Sequence, residues 1–291
     1  MKYGMYFAYW THEWFADYKK YIEKAASLGF DILEVSCAAF KDAYTTDAQL
    51  IELREFAKEK GITLTAGYGP TKDQNHSSPD PVIVENAKGF FKETFRKLEI
   101  MDIHLVGGGL YSYWPVDYTQ PIDKPGDWKR AVAGVKEIGK MAEQRGIILG
   151  MEVLNRFEGY LLNTCEEALE FVNEVDSPAV KIMLDTFHMN IEEDNIASAI
   201  RLAGDLLGHF HIGEQNRKVP GKGSIPWNEI GFALRDINYQ GAAVMEPFVM
   251  SGGTIGSEIK VWRDLVQNVS EELLDKHAKG ALEFLKQVFE A

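Results

Sequence analysis

Four residues able to ligate a metal stand at the ends of successive short apolar runs: Glu152 in GMEV, Asp185 in IMLD, His211 in HFHIGE and Glu246 in VMEP. A charge placed directly after a run such as Ile147–Met151 or Val180–Leu184 is costly to bury unless it is paired or bound to a cation. Repetition in one register points to a shared site. Three carboxylates and one imidazole make a hard, oxygen-rich donor set. Such a set suits one divalent ion, Mn²⁺, Co²⁺ or Mg²⁺, better than a structural zinc, and an octahedral shell would leave two positions for a substrate. The loops after three of these runs each add another polar group: Glu158 in EVLNRFE, His188 in DTFHMN and Arg217 in HIGEQNR. Taken singly these are ordinary solvated charges, but their attachment to ligand-bearing runs makes them candidates for gripping a substrate.

Aromatic residues gather in two other places, Tyr6, Tyr9, Trp10 and Trp14 near the start and Tyr111, Tyr113 and Trp114 further on. Trp14 and Trp114 lie beyond the apolar runs they follow, where packing has less claim on them, and flat faces of this kind suit sugar rings or chains. Trp10 and Tyr113 read as packing residues. The run Gly107, Gly108 and Gly109 lacks the Lys and Ser/Thr of a phosphate loop and the spacing of a dinucleotide fingerprint, so room for a ligand close to backbone is the better reading. The segment VPGKGSIP reads as a mobile surface loop with Lys218 and Lys222 solvated.

The elements that would position these residues follow a repeating plan. Eight short apolar runs are predicted as strands, Tyr3–Ala8, Asp31–Ser36, Ile62–Gly67, Ile103–Gly108, Ile147–Val153, Val180–Asp185, Leu207–Ile212 and Ala242–Pro247, each apolar enough to be buried on both faces. Between them lie amphipathic helical patterns at Asp17–Leu28, Asp47–Lys60, Asp127–Arg145, Thr164–Val175 and Glu192–Ala203, several opened by an Asp or Thr in the N-cap place. Strict alternation implies a parallel sheet, and eight units in about 250 residues is the count that closes a (β/α)8 TIM barrel. Ser257–Ala291 supplies the last helix and a C-terminal helical extension, with apolar spacing Leu273, Leu274, Ala278, Ala281, Leu282 and Leu285. No linker or composition shift marks a second unit, so residues 1–291 are predicted as one domain. In such a barrel the chemistry belongs at the C-terminal ends of the strands, where the four ligating residues lie.

Composition narrows the partners. The 291 residues are 45% hydrophobic and 26% charged, with 44 acidic against 31 basic side chains and a net charge of −13. That balance disfavours nucleic acid and anionic membrane surfaces and suits a neutral small molecule or a cation. The opening MKYGMYFAYW does not read as a secretory leader, and no stretch approaches the roughly 18 apolar residues of a spanning helix. Cys37 and Cys165 are too few for a disulfide framework and read as buried and reduced, which predicts a cytoplasmic protein.

With these residues in view, the sequence closely resembles the ketose 3-epimerases, the D-psicose (D-allulose) and D-tagatose 3-epimerase family within the xylose-isomerase-like barrels. The resemblance runs almost end to end, through YFAYW, GGGLYSYWPVDY, EVLNRFE, VKIMLDTFHMNIEED, GEQNRKVPGKG, VMEPF and IKVWRD. It implies that Glu152, Asp185, His211 and Glu246 bind Mn²⁺ or Co²⁺, that Glu152 and Glu246 are also the acid/base pair, and that Glu158, His188 and Arg217 hold a ketose around O1 to O3. It also implies that Tyr6, Trp14, Trp114 and Phe248 bound the rest of the substrate, and that the chain forms a homodimer or homotetramer. Gly109 stands where members often have Ala, and Ile212 where they often have Thr. The neighbouring chemistries on this scaffold are aldose–ketose isomerisation, cleavage of abasic DNA, against which the charge of −13 argues, and sugar binding without catalysis.

Overall fold

A computed structural model describes residues 1–290; Ala291 lies outside the described residues. Eight strands, β1 (Lys2–Tyr6), β2 (Ile32–Ser36), β3 (Thr63–Gly67), β4 (Leu105–Gly108), β5 (Ile148–Glu152), β6 (Val180–Asp185), β7 (Leu207–Ile212) and β8 (Ala242–Met245), pair in parallel and in sequence order into a closed barrel, β8 returning to β1. Each predicted strand is present, and most are trimmed by a residue or two where the ladder ends. The sheet is buried on both faces, which is why its strands read as continuous apolar runs rather than as alternating ones.

The helices in chain order are α1 (Tyr18–Leu28), α2 (Ala39–Asp42), α3 (Asp47–Glu59), α4 (Pro81–Ile100), α5 (Lys124–Glu143), α6 (Cys165–Val175), α7 (Thr186–Glu192), α8 (Ile196–Ala203), α9 (Trp227–Asp236), α10 (Gly253–Glu258) and α11 (Glu271–Phe289). The predicted caps set several starts: the Asp17 side chain accepts from the Lys19 amide and Thr164 from Glu167, satisfying donors that a first turn leaves free. Two predicted boundaries differ. α5 begins at Lys124 rather than Asp127, because Asp123 accepts from the Gly126 amide and a proline is tolerated in the first turn. The helix expected over Glu192–Ala203 begins at Ile196, where Asn195 starts α8 by accepting from the Ser198 amide; α7 before it, capped by Asp185 and ending at Glu192, is an additional helix that the spacing did not announce.

The C-terminal extension is helical as expected. α11 lies against α9 and α1 and buries Leu274, Ala278, Ala281, Leu282, Leu285 and Phe289, each large side chain contributing roughly 1.5–3 kcal/mol. Cys37 and Cys165 are free and buried. Among the described residues no helix is long and apolar enough to cross a membrane.

Candidate active site

The register of the last four strands brings the ligating residues to one mouth. Asp185 at the end of β6 stands beside His211 of β7, Glu152 closes β5 beside Met183, and Glu246 follows Met245, the partner of Ile212. One donor atom from each of Glu152, Asp185, His211 and Glu246 lies within 4.8 Å of all the others. All four groups predicted as a metal site therefore converge, three of them from buried or nearly buried positions.

The electrostatics of this cluster call for positive charge. Burial, the Glu246 carboxylate and the Asp185 carboxylate together push the Glu152 carboxyl well above its ordinary pKa, and burial with Glu246 raises Asp185. His211 lies between two acids, its Nε2 at 2.5 Å from Glu34 Oε1 and its Nδ1 at 3.5 Å from Glu246 Oε1. Burial opposes a charge on this ring, but Glu34 and Glu246 outweigh it and hold its pKa well above the imidazole range. A carboxylate can only accept, so Nε2 carries the hydrogen. In the neutral ring Nδ1 then turns its lone pair to the cluster and makes no hydrogen bond to protein. A carboxylate behind an imidazole whose other nitrogen faces three acids is the arrangement metal-binding histidines adopt, so the donor set fits one divalent cation.

The acid behind His211 was not singled out from the sequence. Glu34, in the middle of β2, is fully buried and accepts from His209 Nε2 at 2.8 Å and Thr65 Oγ1 at 2.7 Å as well as from His211. Burial alone would raise its pKa; the two histidines reverse this and hold it far below the carboxylate range. Glu34, His209 and His211 are also close enough to hold an ion, but both Nε2 atoms are already spent on the Glu34 oxygens, so the trio reads as a support for His211.

A cavity of about 250 Å³ opens above the cluster, lined by Glu152, His211, Glu246, Glu158, His188, Tyr6, Trp14, Trp114 and Phe248. Arg217 adjoins it: Nη2 bonds Glu158 at 2.9 Å, the guanidinium lies 3.6 Å over the Phe187 ring, and the buried Nη1, 3.7 Å from Glu246, has no protein acceptor. Arg217 itself has φ +61°, backbone strain of the kind that collects at functional sites. His188 Nδ1 accepts from the backbone amide of Asn155 at 3.2 Å, which places its hydrogen on Nε2, 3.8 Å from Glu152. Asn155, also not anticipated, thus sets the His188 tautomer while its side chain bonds Glu158. Every residue predicted to touch substrate is at this cavity or beside it.

The wall opposite is aromatic. Tyr6 packs 6.2 Å from the His211 ring, and Trp14 meets Trp114 and Phe248 edge-on at 6.0 Å each. Trp10 is a packing residue as expected, stacked on Tyr21 and donating to Asp275. Gly107, Gly108 and Gly109 line the cavity, as expected of backbone left open to a ligand, and two of them are also held to glycine by the protein. A Cβ on Gly108 would meet the Tyr68 carbonyl oxygen at 2.2 Å at a φ of +126°, and one on Gly107 would meet Met183 Sδ at 2.3 Å. Gly107 and Gly108 thus answer to packing as well as to access, whereas a Cβ on Gly109 would meet only Leu154 at 3.8 Å.

Comparison with known proteins shows the family. Residues 22–272 match the xylose isomerase-like TIM barrel family. The D-psicose 3-epimerase of Enterocloster bolteae is 70% identical over 99% of this chain and 96% of its own. The crystal structure of D-psicose 3-epimerase from Clostridium cellulolyticum H10 with D-tagatose superposes with a TM-score of 0.98 at 57% identity, covering 100% of both chains. A second, D-psicose 3-epimerase in the presence of D-fructose, gives 0.98 at 54% identity over 100% of both.

Proposed function

The chain belongs to the ketose 3-epimerases of the xylose isomerase-like TIM barrel family, and from that membership we propose that it inverts C3 of free ketohexoses such as D-fructose/D-psicose or D-tagatose/D-sorbose. In this reading Glu152 and Glu246 exchange the C3 proton. A divalent cation, Mn²⁺ or Co²⁺, held by Glu152, Asp185, His211 and Glu246 would supply Lewis acidity that offsets the negative charge building on the sugar oxygens.

The observation that carries the proposal is the placement of two carboxylates from different strands, β5 and β8, at one cavity, with Arg217, Glu158 and His188 beside them. Inversion needs a proton removed on one face of a planar enediolate and delivered on the other. Two carboxylates on opposite sides can serve either direction. The unpartnered Nη1 of Arg217 and the Nε2 hydrogen of His188 would fix hydroxyl and carbonyl oxygens at the C1 to C3 end, while Tyr6, Trp14, Trp114 and Phe248 exclude water from the remainder. Membership also favours a homodimer or homotetramer, to be read by light scattering, and the two reduced cysteines favour the cytoplasm.

The test is incubation of D-fructose and D-tagatose with Mn²⁺ or Co²⁺ in D₂O. Psicose or sorbose with deuterium at C3 supports epimerisation. Glucose or mannose would assign hydrogen transfer between C1 and C2, and no exchange at C3 would leave a sugar-binding protein.

A further inference from the structure

One acid of the cavity has no part in the chemistry above. Glu258 ends α10 and lines the cavity wall with Trp14, Thr71, Trp114 and Ile259. Its Oε2 accepts the Trp14 indole hydrogen at 2.5 Å. Among the described residues no protein group donates to Oε1, and no cation pairs with this carboxylate. Its position is fixed from both sides. The Ile255 amide donates to the His12 carbonyl at 3.1 Å, Thr254 Oγ1 donates to Glu13 at 2.7 Å, and a Cβ on Gly253 would meet the His12 carbonyl oxygen at 2.3 Å. α10 and the loop carrying Trp14 are thus stitched into one rim unit that presents a charged acceptor beside the Trp14 indole.

We infer that Glu258 is a specificity residue: its free oxygen accepts the terminal hydroxyl of the open-chain ketose and so selects six-carbon over shorter sugars. The inference rests on the ketose reading of this cavity. The cluster of Glu152, Asp185, His211 and Glu246, with Arg217 and His188, occupies the floor at the strand ends, so the C1 to C3 end lies there and the far end of the chain meets the rim. At the rim Glu258 meets the Trp14 indole, whose own neighbours are the Trp114 and Phe248 rings. A hydroxyl entering such a wall loses water and needs an acceptor, and a charged one discriminates strongly against a sugar that lacks the hydroxyl.

The experiment is a cycle of two sugars and two proteins. D-fructose and 6-deoxy-D-fructose are epimerised by the unaltered enzyme and by Glu258→Ala, both loaded with Mn²⁺; the differing ring forms of the two sugars cancel between proteins. The unaltered enzyme is expected to lose about tenfold or more in kcat/KM when the hydroxyl is removed, mostly through KM, the size of a hydrogen bond to a charged group. Glu258→Ala should lose a similar factor on fructose and nothing further on the deoxy sugar. Glu258→Gln, whose amide oxygen can keep the Trp14 contact, leaves the hydroxyl only a neutral N–H to accept from, so where the alanine variant fails to fold it should still narrow the difference between the two sugars. Equal losses on both sugars, or none, overturn the assignment while leaving the epimerase reading intact. Absence of C3 turnover by the unaltered protein on any ketose overturns that reading itself.

Discussion

Glu34 is a residue whose replacement separates support of the proposed metal site from simple structural burial. Its Oε1 serves His211 alone, while Oε2 serves His209 and Thr65. In Glu34→Gln the amide oxygen can stay opposite His211, provided the amide nitrogen faces His209 and Thr65. His209 can then shift its hydrogen to Nδ1, which has no partner to lose, and the Thr65 hydroxyl can turn to accept. A neutral acceptor is roughly half as strong as a charged one, so Mn²⁺ affinity should fall about tenfold, the low end of what such partners contribute. In Glu34→Leu no acceptor remains, His211 Nε2 is buried unsatisfied and the ring loses its orientation. There the loss should approach a hundredfold, about 2.7 kcal/mol, and the same amount should vanish from the stabilisation that saturating Mn²⁺ confers. Calorimetric titration with Mn²⁺ and thermal unfolding with and without the ion read the two quantities independently of turnover. A leucine variant binding Mn²⁺ within twofold of the unaltered protein would refute the reasoning, and a glutamine variant as weak as leucine would refute the relay through His209.

Three further outcomes are expected. Glu246→Gln should lower C3 epimerisation by about 10²–10⁴-fold while the protein still takes up metal; substantial turnover in a metal-loaded variant would sink the two-carboxylate proposal. His76 is buried beside Phe91 with neither ring nitrogen bonded, and burial lowers its pKa to about 4. Its folded pKa lies below the unfolded one of about 6.5, so the unfolded chain takes up the proton first, and stability should fall by about 3 kcal/mol as pH drops from 6.5 to 4; His76→Leu, compared by denaturant titration across that window, should lack this part of the slope. Gly108→Ala should cost upwards of about 2 kcal/mol through its positive φ and the clash with Tyr68, seen as a lowered unfolding temperature; an unchanged one would show that the adjoining ends of β3 and β4 yield freely.

What could be read from the sequence follows from where each signal lies. Strands buried on both faces announce themselves as apolar runs, and the charge that interrupts such a run at its end is conspicuous; hence the barrel and the converging Glu152, Asp185, His211 and Glu246 were legible. Glu34 was not, although it breaks the same rule harder: it sits inside ILEVS rather than after it, and its histidine partners are 175 and 177 residues away. The spacing of HFH, two histidines on one face of a strand, was the available hint that His209 and His211 share a neighbour. The short α7 was hidden because its seven residues are too few to show a helical period and its cap is Asp185, a residue read as a ligand. Gly107 and Gly108 were legible in one role of two: both line the cavity, but the contacts with Met183 and Tyr68 that also demand glycine come from distant parts of the chain.

The unequal duties proposed for the four ligating residues gain a physical argument from how each is held. Asp185 is tied down, one oxygen capping α7 through the Phe187 amide at 2.7 Å, and His211 is tied to Glu34. Among the described residues neither Glu152 nor Glu246 has a side-chain hydrogen bond to protein; the basic groups beside them are His188 at 3.8 Å from Glu152, and His211 at 3.5 Å and Arg217 at 3.7 Å from Glu246. A group that must collect a proton at carbon and release it again cannot have its lone pairs already committed, whereas a group that only holds an ion is better for being fixed. The resemblance of sequence names the two glutamates as the exchanging pair. The pattern of tethers favours the same two without reference to any relative, and the tether on Asp185 yields a contrast that turnover can read. Asp185→Asn keeps an oxygen able to cap α7, so its loss of activity should be recovered in large part by raising Mn²⁺, while that of Glu246→Gln should persist at every metal concentration.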